Sequence, residues 1–383
     1  MFDKFLLPEG KLKNHVFSPF SLAILLDIIK HYCEGTDLYN DLIQFLEQLN
    51  YDKETAIKLI QEYENSSTTF LSNNVLFHEQ KYPYNKIDYP NFSQFSEDFA
   101  QRPALHKKIN TWVSKQTKGL IKEIIVPDDP RLIAMLINAI YLKAEWIKEF
   151  ESPQHPLKFT LLNGKEKKTG YLGKSSLTGE EPVYYYEAES YRALRIPYKD
   201  ERLCFEIYLP TQSNGLPSLI KELETSDLYQ LSSKFEKIDK YYYIFPKFEI
   251  KNTLDLKETL CSLGLEKLFA PNKVEALQNA PSPFSIDAII QQNFIKVNEK
   301  GTEAASVTYA MMLGSSISMV QPIEFKAEHP FIFIIRDTIY NSIIYIGTLT
   351  EPPAYDGPNY EEDEDEFPKK LSWWQRLVQV FKS

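Results

Sequence analysis

The chain has 383 residues, 43% of them hydrophobic and 25% charged, the proportions of an ordinary globular protein. These values exclude a collagen, a mucin stalk and a chain disordered throughout. A net charge of −10 argues against nucleic acid as the main partner, and no apolar run approaches the roughly 18 residues a membrane span needs.

In chain order, the start MFDKFLLPEGKLKN lacks the charged opening, long apolar stretch and small-residue cleavage site of a secretory signal. A cytoplasmic protein, or one exported by a non-Sec route, is expected. Residues 18–31 (SPFSLAILLDIIKH) predict a helix capped by Ser18 and opened by Pro19, apolar around most of its circumference and hence deeply buried. Residues 37–49 predict an amphipathic helix with Leu38, Leu42, Phe45, Leu46 and Leu49 on one stripe, and 105–116 and 254–263 two more, the last ended by Gly264.

Strand signals dominate later. Residues 133–142, 203–209 and 241–250 are apolar or aromatic runs, and 331–335 with 343–349 predict a hairpin turning between Asp337 and Asn341. Helices early and strands late, without steady βαβ alternation, indicate an α+β fold with mostly antiparallel or mixed sheets. Cys33, Cys204 and Cys261 are too few and too far apart for a disulfide framework or a zinc knuckle, and read as small buried apolar residues. The histidines (15, 31, 78, 106, 155, 329) offer no metal-ligand spacing, and phosphate loops and nucleophile elbows are absent, so neither an enzyme nor a metal or cofactor is indicated.

The stretch Asn298–Ile323, NEKGTEAASVTYAMMLGSSISMVQPI, is unusual for a connection. It has no charge between Glu303 and Glu324 and no proline between Glu299 and Gln321. With period two, Thr302, Ala304, Ser306, Thr308 and Ala310 form one small face, while Glu303, Ala305, Val307 and Tyr309 form the other. One face can slide beneath a packed layer. Gly301 just before it is suited to a hinge.

NEKGTEAASVT resembles the reactive-centre hinge of serpins. FSPFS at 17–21, INTWVSKQTKGLIKEII at 109–125, LINAIYLKAEW at 136–146, PKFEI at 246–250, DLKETLCSLGL at 255–265, FKAEHPFIFIIRD and YIGTLTEP extend the resemblance over roughly residues 14–352 in order. It implies one domain, residues 1–353, of three sheets and about nine helices, the first short or absent, acting as a monomer. It also implies a reactive-centre loop over about 299–322 and suicide inhibition, in which the cleaved loop inserts into the central sheet with the acylated protease attached. Counted from Glu299, the cleaved bond falls at Ser315–Ser316, with Met312, Leu313 and Met319 as alternatives. The absence of Arg and Lys between Lys300 and Lys326 favours chymotrypsin-like, elastase-like or papain-like targets over trypsin-like ones. Ser18, Ser21 and Asn138 match the polar cluster beneath the sheet, Gln291 stands where many members carry a histidine, and Trp146 matches the tryptophan where the loop enters. A non-inhibitory member, serving as carrier, chaperone or interaction module, is the alternative.

Beyond the resemblance, residues 354–368 contain EEDEDE at 361–366, six like charges that predict a solvated linker. Residues 369–383 place Leu371, Trp374, Leu377, Val378 and Phe381 on one helical stripe, with Lys370, Arg376 and Lys382 off its centre. Such a tail suits a membrane surface, a partner or the body of the protein itself.

Overall fold

The computed structural model describes residues 1–7, 10–64, 66, 68–81, 85–124, 132–150, 156–269, 286–300 and 321–355. Hinge positions 301–308, the candidate bond region 312–319 and the tail from 356 onward lie outside them.

Ser18 opens the central helix, Pro19–Lys30, as the sequence predicts: its hydroxyl accepts from Ser21 N at 3.2 Å. Nearly every side chain of this helix is buried, because sheets and helices surround it. The N-terminal helix is short, Phe2–Leu6, and is held by Phe5 stacking on Phe17 at 4.0 Å. Asp37–Gln48 buries its predicted leucine stripe, capped by Thr36.

An antiparallel sheet of seven strands forms the back of the molecule, in the order His15–Phe17, Ser342–Leu349, Phe331–Asp337, Leu203–Pro210, Tyr191–Pro197, Val183–Glu187 and Glu236–Ile238. The predicted hairpin is its centre, with Phe331 opposite Leu349. Gly347 is required there, since a Cβ would collide with the His15 carbonyl and the Phe333 ring.

Five strands form the front sheet, in the order Phe248–Asp255, Ala288–Val297, Ala134–Lys143, Thr69–Glu79 and Phe92–Glu97. Helix Arg102–Gln116 covers its outer face, seating Leu105, Ile109, Trp112 and Val113 against Phe77, Ile137, Ile290 and Phe294. A three-stranded sheet, Ile323–Lys326, Tyr241–Pro246 and Tyr171–Ser176, closes one end.

Some expectations need correction. The described residues pair into a fourth, two-stranded ribbon, Leu157–Thr160 with Glu166–Thr169, beyond the three sheets implied, and hold eight α-helices, in keeping with the nine or so implied. The apolar run 241–250 is two strands in different sheets: Pro246 lacks an N–H to continue its ladder, and the chain crosses over at Lys247. The helix predicted over 254–263 starts late, because Leu254 and Asp255 still pair with Gln291 and Ile290. Only Lys257–Leu260 is α-helical, and a wider turn, Cys261–Leu265, contains Gly264 at φ 90°. Cys33 and Cys204 are buried as expected, and burial raises both thiols to about 12, whereas Cys261, in the wider turn, is only half-buried.

Candidate functional site: the seam of the front sheet and the root of the loop

Strands Ala134–Lys143 and Ala288–Val297 are neighbours, parallel, and only partly joined. Their ladder runs from Ala288 opposite Met135 to Gln292 opposite Ala139. Beyond it both strands continue, to Lys143 and Val297, each paired among the described residues only with its outer neighbour, Thr69–Glu79 or Phe248–Asp255. Among the described residues the seam therefore stands open at the C-terminal ends of both strands.

Polar residues line the closed part from beneath. Gln291 is fully buried and clasps the backbone of Ser18, accepting from its N at 2.8 Å and donating to its O at 3.0 Å. The Ser18 hydroxyl donates to Ile344 O at 2.7 Å, tying the helix start to the back sheet. Asn138, directly opposite Gln291, donates to Ser21 Oγ at 2.5 Å and to Asn74 Oδ1 at 3.0 Å. Ser21 Oγ shares a hydrogen bond with Ser72 Oγ at 2.8 Å. The four residues singled out from the sequence thus meet in one cluster. Ser72 and Asn74 belong to it as well; sequence reading missed them, although SNN interrupts the apolar strand TFLSNNVLF. One step towards the open end, both polar side-chain atoms of the fully buried Asn293 lack a partner among the described residues.

The open end is where the chain departs. Trp146, 3% exposed, stacks on Tyr198 at 4.3 Å and meets the edges of Phe150 and Phe205. Its indole Nε1 donates to Asn298 O at 2.9 Å and its backbone N to Lys300 O at 3.0 Å, while Phe150 N donates to Glu299 O at 2.7 Å. Glu299 also faces Lys247 at 3.5 Å. Gly301, Thr302, Glu303, Ala304, Ala305, Ser306, Val307 and Thr308 follow outside the described residues, as do Met312, Leu313, Ser315, Ser316 and Met319. The chain resumes in the three-stranded sheet, where Ile323 N donates to Lys240 O at 3.0 Å and Phe325 is fully buried.

A sequence profile described as serpin (serine protease inhibitor) matches residues 2–352. The chain belongs to the serpin family. An uncharacterized serpin-like protein of Methanosarcina acetivorans is 31% identical over 377 residues, covering 93% of this serpin and 85% of the relative. The leukocyte elastase inhibitor of Xenopus laevis is 29% identical over 363 residues, covering 88% and 93%. Among solved structures, the native thermophilic serpin tengpin superposes with a TM-score of 0.78 at 25% identity, covering 89% of each chain. Thyroxine-binding globulin in complex with thyroxine has a TM-score of 0.72 at 20% identity, covering 90% of this serpin and 94% of its own chain, a likeness of fold alone. Among the described residues, no helix is long and apolar enough to cross a membrane and no group of side chains is arranged to hold a metal.

Proposed function

We propose that this serpin is a suicide-substrate protease inhibitor whose cleaved loop enters the open seam. The half-made parallel ladder carries the reading. A strand continuing from Lys300 must turn back, so it would run antiparallel to Ala288–Val297 and, because that strand is parallel to Ala134–Lys143, antiparallel to both. Insertion would replace one short parallel ladder with two antiparallel ones, which are slightly stronger per residue. The small face Thr302, Ala304, Ser306 and Thr308 suits passage beneath the packed layer, where non-inhibitory members commonly place charged, bulky or proline residues. Gly301 is the hinge.

In this reading the protease nucleophile attacks the carbonyl carbon of the residue before the cut bond, Ser315 or one of Met312, Leu313 and Met319. The amide C–N bond breaks, the proton passes to the leaving amine, and an ester or thioester joins protease to loop. Insertion of some fourteen residues at about 3.3 Å each carries the protease roughly 46 Å before water completes hydrolysis. The uncharged loop fits chymotrypsin-like, elastase-like or papain-like pockets, and the frog relative's name supports the elastase-like choice.

Incubation with chymotrypsin, elastase and a cathepsin, followed by denaturing gels and mass spectrometry of the released fragment, tests the proposal. A complex stable in SDS, cut between Met312 and Met319, is expected with at least one of them. Clean cleavage by every protease, without a complex, would overturn it and favour a carrier or interaction role.

A further inference from the structure

The described residues end at Tyr355, alongside a lysine-rich ribbon. Lys167 reaches Glu351 at 2.6 Å, Thr169 Oγ1 donates to Pro353 O at 2.7 Å, and Tyr355 N donates to Lys168 O at 3.1 Å. Asn14 holds the same segment from the other side, its side chain accepting from Thr350 N at 2.8 Å and donating to Glu351 O at 2.6 Å. That contact brings Lys13 to this edge, where its carbonyl accepts from Thr348 Oγ1.

Charge here is unbalanced. Lys158 sits directly opposite Lys168 across the ribbon, an arrangement that is destabilising for like charges. Glu166 answers Lys158 at 2.8 Å, whereas Lys13, Lys165 and Lys168 are exposed and have no acidic partner among the described residues. Six residues after Tyr355 the sequence reads EEDEDE.

We propose that the acidic block Glu361–Glu366 folds back onto Lys13, Lys165 and Lys168 and latches the C-terminal extension to the serpin body. Reach is sufficient for the ribbon lysines: six Cα steps from Tyr355 span about 20 Å, whereas the four-residue ribbon strand is about 13 Å long. The tether holds the block at an effective concentration in the millimolar range, so individually weak exposed pairs act together. The docking place also matters. Through Gly170 the ribbon feeds strand Tyr171–Ser176 of the three-stranded sheet, and Thr160 N donates to Glu328 O at 2.8 Å, just past strand Ile323–Lys326. The latch therefore lies at the downstream root of the reactive loop, and it would deliver the apolar stripe of Leu371, Trp374 and Phe381 to that end of the molecule.

Zero-length carbodiimide crosslinking of the full chain, with peptide mapping by mass spectrometry, tests the latch. At about 20 mM NaCl, links within one chain should join Glu361–Glu366 to Lys13, Lys165 and Lys168. They should fall at least about fivefold in 1 M NaCl, where the Debye length shrinks to about 3 Å. In the Lys165→Glu/Lys168→Glu double variant, which itself removes two of the reactive amines, the remaining link to Lys13 should be lost as well. Links spread over distant lysines such as Lys107 and Lys115, links between two chains, or a Lys13 link of unchanged yield in the double variant would each overturn the proposal. The double variant should still trap a protease, so the latch and the inhibitory reading fail separately.

Discussion

Replacing Gln291 by leucine should destabilise the protein through one specific atom. Gln291 makes two bonds to Ser18, but their loss is not symmetrical. Ser18 O also accepts from Leu22 N at 3.1 Å, so it keeps a partner when the amide is removed. Among the described residues Ser18 N has only the Gln291 carbonyl oxygen, at 2.8 Å, in a position with no solvent exposure. Orphaning a buried donor costs about 1–3 kcal/mol, and leucine of similar volume adds no large cavity term. With an unfolding entropy of about 0.7 kcal/mol/K for a chain of this size, 2 kcal/mol lowers the melting midpoint by about 3 °C.

Calorimetry of wild type and variant at neutral pH measures this directly. Gln291→Glu sharpens the test. Its carboxylate accepts from Ser18 N but cannot donate to Ser18 O, whereas the protonated acid does both. Burial should raise this carboxyl above its unfolded pKa, so the variant's deficit relative to wild type should shrink as pH falls through the folded pKa. A Gln291→Leu midpoint at or above wild type would refute the assignment of Ser18 N to Gln291. A pH-independent Gln291→Glu deficit would refute the second bond.

Other outcomes follow from the same physical terms. His15 is 1% exposed, and burial, reinforced by Lys13, lowers its pKa from 6.5 to about 4. The neutral ring is therefore favoured by folding, so stability is complete above pH 6.5 and falls by about 3 kcal/mol as pH drops to 4; His15→Phe should flatten that part of a stability-versus-pH curve. Glu206 has no exposure and binds Arg336 Nε at 2.9 Å, Arg195 at 2.8 Å and the Tyr208 hydroxyl at 2.9 Å. Glu206→Gln should cost about 3–5 kcal/mol in denaturant unfolding by leaving guanidinium charge uncompensated in the core. Thr302→Arg should turn the inhibitor into a substrate, because a buried unpaired arginine delays insertion, and an unchanged stoichiometry of inhibition would remove Thr302 from the inserting face.

Where apolar pattern and local punctuation agree, the fold was legible. Ser18-Pro19 and the surrounding apolar residues announce the central helix, and FIFII with IIYIGTL announces the hairpin. What stayed hidden is held by exchange of polar groups rather than by hydrophobicity. Thr69–Glu79 carries Ser72, Asn73 and Asn74 in its middle and looks like a loop until Asn138 and Ser21 arrive to satisfy two of them. Glu206 looks like an outward position of a half-exposed strand, LCFEIYL, and is instead the buried counter-ion of two arginines. Partnership across more than a hundred residues, such as Gln291 with Asn138, leaves no periodicity in either segment. The resemblance, rather than any period, brought those two residues together.

The distribution of polar groups bears on how the proposed insertion could be fast and yet held in check. The back sheet is joined along its central hairpin and backed by a fully buried apolar cluster of Phe205, Phe331, Phe333 and Ile335, so parting it would forfeit dispersion contacts with nothing in return. The front seam is different. Its underside carries the buried amides of Gln291, Asn138 and Asn293, two of them with a donor or acceptor unmet among the described residues. Parting an amide-lined seam exposes groups that another backbone can satisfy, so the incoming strand repays the bonds it breaks. The clasp between Gln291 and Ser18 acts on the opposite side of the balance, fastening Ala288–Val297 to the central helix at the last rungs of the ladder. Weakening the clasp should therefore lower the melting midpoint and, on the inhibitory reading, speed insertion in the same variant, a pairing that ordinary loss of stability does not produce.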